Sequence, residues 1–104
     1  MTRITAIVRP HKLEQVKAAV ADLGISGMSV SEVRGRGNSP EAPVLFGNRE
    51  VQIVLSLKAR LMIVVPDDLV ETIVEAILAN AATGESGDGK VFLEPVADAL
   101  RIRT

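Results

Sequence analysis

From Arg3 to Arg9 the chain alternates, with Ile4, Ala6 and Val8 on one face, Thr5 and Ile7 on the other, and Pro10 ending the run. A period of two predicts a half-buried strand. Leu13, Val16, Val20 and Leu23 then recur at helical spacing, and Gly24 is a suitable stop. After Gly27, Met28 to Val33 predicts a second strand that sends Met28 and Val30 one way and Ser29, Ser31 and Val33 the other. Leu57 to Val65 is rich in β-branched and aliphatic residues and predicts a third strand, closed by Pro66. Asp67 or Asp68 is expected to cap a second helix with the apolar stripe Leu69, Val70, Ile73, Val74, Ile77 and Leu78. A glycine-rich turn from Thr83 to Gly89 ends it, and Lys90 to Val96 predicts the fourth strand.

The order β-α-β-β-α-β with matched halves predicts an α+β, ferredoxin-like fold: one domain over residues 1–104, a four-stranded antiparallel sheet with both helices on one face. The other face stays open, lined in part by residues such as Ile7, Met28, Val30, Met62 and Val64, and either choice of parity leaves apolar side chains on it. An apolar patch of this kind points to self-association. One segment breaks the pattern. About twenty residues, 36–55, join two adjacent strands, where hairpin loops take ~2–5. Val44-Leu45-Phe46 places an apolar cluster inside it, which argues for a functional loop and against an inert insertion.

Composition narrows the function. Two Phe, no Trp and no Tyr leave no platform for stacking bases, and twelve basic against thirteen acidic residues include no block able to neutralise a row of phosphates. Nucleic acid is therefore not an expected partner. With no Cys and one His, His11, there is no disulfide framework, no thiolate nucleophile and no multi-His metal site. No apolar run approaches the ~20 residues of a membrane span, so no membrane insertion is expected and a soluble cytoplasmic protein is.

Thr83-Gly84-Glu85-Ser86-Gly87-Asp88-Gly89-Lys90 is the strongest local signal. Its glycines let backbone N–H groups turn toward an anion that Lys90 can neutralise. Gly84 to Lys90 fits the opening of a P-loop, but Val91 stands where the magnesium-binding hydroxyl belongs, and the loop leads into a strand. A plain helix-to-strand turn remains the alternative. Arg101 and Arg103, two apart in an extended tail, share a face and could grip one phosphate. Lys58 and Arg60 form a similar pair, with ordinary solvation as the competing reading for both pairs. His11 reads as a surface residue. No nucleophile, base and orienting group can be assembled, so no enzyme is expected. An acylphosphatase-like activity would need an anion-cradling loop after the first strand, where this chain has Arg9-Pro10-His11-Lys12.

Three stretches, Ile25 to Gly35, Ile63 to Asp68 and Thr83 to Phe92, with the closing Arg101-Ile102-Arg103-Thr104, resemble the PII signal-transduction family over essentially the whole chain. The resemblance implies a non-catalytic homotrimer with nucleotide clefts between subunits and a signalling loop, here about residues 36–55. Ser29 and Val64 would lie at the adenine, Gly37, Asn38, Gly87, Asp88, Gly89 and Lys90 around the phosphates, with Arg101 and Arg103 completing the grip. The implied ligands are ADP or AMP, with ATP a further candidate. The implied partner is a transporter or a metabolic enzyme contacted through the loop. A trimer of the cation-tolerance type, without nucleotide sensing, is the alternative of related fold.

The loop departs from the usual pattern. Asn38-Ser39 replaces Arg-Gln, Val51 replaces the modified tyrosine, and Val44-Leu45-Phe46 replaces Glu-Leu-Tyr. A carboxysome-associated branch of the family, which responds to bicarbonate together with ADP or AMP, is similar in having an altered loop. Losing the metal-bridging pattern makes bicarbonate a better second effector than 2-oxoglutarate, with Gly37, Lys58 and Arg60 as its candidate ligands.

Overall fold

The structure, a computed structural model, describes residues 1–35, 44–46, 49–51 and 55–103. Its elements are β1 (Thr2–Val8), α1 (Leu13–Asp22), β2 (Ser29–Gly35), β3 (Val44–Phe46), β4 (Arg49–Val51), β5 (Ser56–Val65), α2 (Val70–Ala81) and β6 (Gly89–Pro95). Four strands form an antiparallel sheet in the order β2-β5-β1-β6, as the ferredoxin-like pattern predicts. Within the long segment, β3 and β4 pair as a short hairpin of their own, so Val44-Leu45-Phe46 is a strand.

Register decides which side chains meet the helices. Ile4 pairs with Ile63, Ala6 with Leu61 and Val8 with Ala59, and all six are buried. Val16 and Val20 of α1 and Ile73, Ile77 and Ala81 of α2 close over them. Each large aliphatic side chain buried here contributes about 1.5–3 kcal/mol. The stripe on α2 runs through Ile73, Ile77 and Ala81 at i, i+4 and i+8, which turns Leu78 outward to 53% exposure.

Two expectations need correction. Val30 pairs with the buried Leu61 and Met28 packs against the core, so both belong to the helix-covered side of the sheet. Directly opposed residues share a face, and the open face therefore carries Ile7, Met62 and Val64, joined by Phe92. Nor do Asp67 and Asp68 cap α2. A 3-10 turn over Asp67–Leu69 intervenes, with Leu69 N–H donating to the Pro66 carbonyl at 3.1 Å. Asp67 instead accepts from Thr2 Oγ1 at 2.6 Å and meets the terminal amine at 3.4 Å. The same device opens α1, where Pro10–Lys12 form a 3-10 turn and Lys12 N–H donates to the Arg9 carbonyl at 3.0 Å.

Gly89 fixes the start of β6. Its φ is +118°, and a Cβ there would stand 1.7 Å from the backbone oxygen of Ile7. Gly84 also has positive φ, +87°, but open space around it. Urea denaturation should separate the two: Gly84→Ala costs about 1–2 kcal/mol for the left-handed backbone alone, while Gly89→Ala costs clearly more because β1 and β6 must part. Equal midpoints for the two variants would contradict this account of the register.

Candidate functional site

The open face is read row by row from the strand register. Ser31, Arg60, Ile7 and Lys90 form one row, and Ser29, Met62, Thr5 and Phe92 the next. Val64, Arg3 and Glu94 form a third, in which Arg3 pairs with Glu94 at 2.8 Å. Cations gather at the opposite end, where β1 finishes and β6 begins: Lys58 and Arg60 on β5, Lys90 on β6, and Arg9 one residue past β1. Arg9 is held extended (φ −62°, ψ 139°), as a residue before proline prefers, so its side chain leaves on this face.

The loop from Thr83 to Gly89 is tied to these cations. Asp88 lies at its centre: Oδ2 accepts the N–H groups of Thr83 at 2.7 Å and Gly84 at 3.0 Å, and Oδ1 accepts the Thr83 hydroxyl and Arg9 Nε at 2.9 Å. Arg9 also donates Nη2 to the Ser86 carbonyl at 2.5 Å, and Lys58 donates Nζ to the Gly87 carbonyl at 2.6 Å. In a trans peptide the C=O and the following N–H point in opposite directions. With the carbonyls of Ser86 and Gly87 drawn to Arg9 and Lys58, the N–H groups of Gly87 and Asp88 face away from those cations. Among the described residues neither meets an acceptor. Positive φ at Gly87 (+91°) makes the turn possible. Two adjacent, outward N–H groups beside the exposed Lys90 form a concavity of the kind that suits an anion, the candidate site of this chain.

The residues expected from sequence fall into separate groups. Gly87, Asp88, Gly89 and Lys90 lie together, with Lys58 and Arg60 next to them. Ser29 and Val64 do not join them: Val64 lies four positions along β1 from the Lys90 row, roughly 13 Å, and Ser29 lies on β2, at the opposite edge of the sheet from β6. Arg101 and Arg103 are exposed on a tail that leaves β6 at its far end, after Val96 N–H donates to the Met1 carbonyl at 3.0 Å. No hydrogen bond joins that tail to the glycine loop among the described residues. Gly37 and Asn38 lie outside the described residues. Lys58 is buried, with its ammonium on the loop carbonyl, and Arg60 Nε donates to Ser31 Oγ at 3.1 Å.

Arg9 and Thr83 are the participants that sequence reasoning did not assign. Arg9 carried one signal, its place before Pro10 at the end of an alternating strand, which fixes the face it occupies. Among the described residues no three His, Asp or Glu side chains gather to hold a metal, and no helix is long and apolar enough to cross a membrane. A shallow apolar cleft of about 70 Å³ beside the loop, lined by Ile77, Leu78, Ala81 and Val91, adds no further polar group from α2.

Comparison with known proteins matches the whole chain, residues 1–104, to the family described as nitrogen regulatory protein P-II. The chain is 44% identical over 104 residues to nitrogen regulatory protein P-II 1 of Escherichia coli (strain K12), covering all of this chain and 93% of that protein. The protein of that name from Salmonella typhimurium matches to the same extent. Nitrogen regulatory protein P-II of Haemophilus influenzae is 43% identical over 104 residues, again covering all of this chain and 93% of the relative.

The Asp88 carboxyl is held far below the usual range, chiefly by the Thr83 hydroxyl, then by the Thr83 N–H and the Arg9 guanidinium. A lowered carboxyl stabilises the folded loop above its unfolded value of about 3.9 and loses that contribution as pH falls toward the folded one. The Thr83 and Gly84 amide resonances should therefore keep their positions from neutral pH down to about 4 and move only in stronger acid. A titration of both amides centred on the ordinary Asp value would show that Asp88 does not hold the loop.

Proposed function

Since the chain belongs to the P-II family of nitrogen regulatory proteins, whose members are signalling regulators and not enzymes, we propose that it senses an adenine nucleotide at a cleft between subunits of a homotrimer. The observation that carries this reading is the glycine loop, with two N–H groups turned outward beside Lys90. ADP or AMP is the proposed ligand, with ATP also accommodated by the same phosphate contacts. The glycine loop also favours this reading over a cation-tolerance trimer, which would have no use for an anion cradle.

The trimer follows from what one chain leaves incomplete. Val64 and Phe92 remain 46% and 49% exposed on the open face, and Ile102 is fully exposed between Arg101 and Arg103. Ser29, Val64 and the tail arginines stand away from the glycine loop of their own chain. A neighbouring copy supplying them at the loop would join base recognition to phosphate recognition across an interface. The long segment containing β3 and β4 would then report occupancy to a target, a transporter or metabolic enzyme in the cytoplasm.

Bicarbonate is the proposed second effector, at the root of that segment. Ser56 Oγ donates to the Gly35 carbonyl at 3.2 Å, closing the root, and Lys58 ties β5 to the glycine loop. An anion drawn to Lys58 and Arg60 therefore acts on the root and on the nucleotide loop together, and binding of the two ligands is reciprocally coupled. Bicarbonate should tighten ADP binding in calorimetric titrations at fixed pH and ionic strength. Superimposable ADP isotherms with and without it would remove the second effector while leaving the nucleotide site standing.

Each charge-assisted contact to phosphate is worth about 1.5–3 kcal/mol, so Lys90→Ala should weaken ADP about tenfold or more with sedimentation behaviour unchanged. Wild-type protein that sediments as a monomer, or binds none of the three nucleotides, would defeat the proposal.

A further inference from the structure

We propose that the side chains of Asp88 and Arg9 are positioning groups of the phosphate loop, which shape it from behind without touching the nucleotide. The inference rests on the nucleotide reading above and gives Asp88 a role different from phosphate contact. Both carboxylate oxygens are already engaged, each by two donors from within the loop or from Arg9. A carboxylate is also a poor direct partner for a phosphate, because the two anions repel. What Asp88 does is gather the loop's first two N–H groups, at Thr83 and Gly84, onto one point and bind that point to the end of β1 through Arg9.

Arg9 then fixes the direction of the peptide that matters. Its Nε holds Asp88 at 2.9 Å while its Nη2 takes the Ser86 carbonyl at 2.5 Å, so one planar guanidinium fixes both sides of the turn. With the Ser86 carbonyl pulled toward β1, the Gly87 N–H of the same peptide must face the other way. The orientation is set before any ligand arrives. Pro10, by keeping Arg9 extended, keeps the fork on this face.

Electrostatics and positioning predict opposite signs for one substitution. Asp88→Asn removes a negative charge beside an anion site, which by charge alone tightens phosphate binding. If Asp88 positions the loop, the same change weakens it, because the amide NH₂ must face either the Thr83 and Gly84 N–H groups or Arg9 Nε, which can only donate. Isothermal titration of the full chain with ADP and AMP, and competition with adenosine, reads the difference. The expected result is about a tenfold or greater loss for ADP, a smaller loss for AMP and unchanged adenosine. Arg9→Met, which keeps the apolar stem and removes the fork, should repeat this pattern, and Arg9→Lys should recover only part of the affinity. Thermal unfolding checks that each variant folds, and general destabilisation would lower adenosine and ADP affinity alike. ADP binding by Asp88→Asn and Arg9→Met as tight as, or tighter than, that of the wild type would overturn the positioning role while leaving the nucleotide reading intact. Wild-type protein that binds no ADP would overturn both.

Discussion

At the start of β6 the backbone of Gly89 lies so close to that of Ile7 that a side chain on Gly89 would overlap the Ile7 carbonyl. That approach lets β6 begin in register with the end of β1, Gly89 opposite Val8. Everything at the site follows from this alignment. Because side chains alternate, Lys90 is placed on the open face in the row of Ile7 and Arg60, and the seven residues before it must turn within reach of Arg9. One residue of slip would send Lys90 to the helix-covered face and leave Asp88 without its partner on β1. The glycine is thus required by the sheet, and the anion loop is built on that requirement.

The candidate anion loop is followed by a strand and not by a helix N-terminus. In a P-loop the helix that follows orients the N–H groups and adds its dipole. Here a strand follows, and orientation comes from the opposite side of each peptide: cations on the sheet take the carbonyls of Ser86 and Gly87, and the N–H groups are left facing out. Arg9 and Lys58 thus orient the peptides of the loop, while Lys90 stands exposed beside the outward N–H groups. Asp88 offsets the charge of Arg9 through their 2.9 Å contact, and Lys58 remains behind the loop as a further cation.

Much of the fold was legible because burial on one side of a sheet writes a period of two and helices write a period near four. Ile4, Ala6 and Val8, then Val16 and Val20, then Ile73 and Ile77 are the core in sequence and in structure alike. Parity on β2 was not legible. Its edge position leaves Val30 half exposed although it faces the helices, so hydrophobicity could not say which side was covered. The start of α2 was misread for a related reason: an Asp after Pro resembles a cap, but a 3-10 turn carries the backbone into the helix and frees Asp67 for Thr2 and the terminal amine. At the site, glycines and Lys90 declared themselves by composition. Arg9 did not, because its contact with Asp88 joins residues seventy-nine positions apart and depends on the pairing of β1 with β6.

The same sheet explains why a sensor of this kind needs more than one copy. Its cationic end carries the glycine loop and the root of the long segment, tied together by Lys58 and by Ser56 on Gly35. Its other end carries Val64 and the origin of the tail, and Ser29 lies on the edge strand away from β6. A sheet of four strands holds these ends apart, since bringing them together would cost the ladder that builds the core. The proposed assembly would remove the conflict by letting one copy's far end meet another's near end. In the proposed trimer, a ligand spanning that junction contacts the root of the long segment on one side and a neighbour's tail on the other. Its binding energy then depends on the position of the segment, which is the condition for a ligand to shift a loop between conformations.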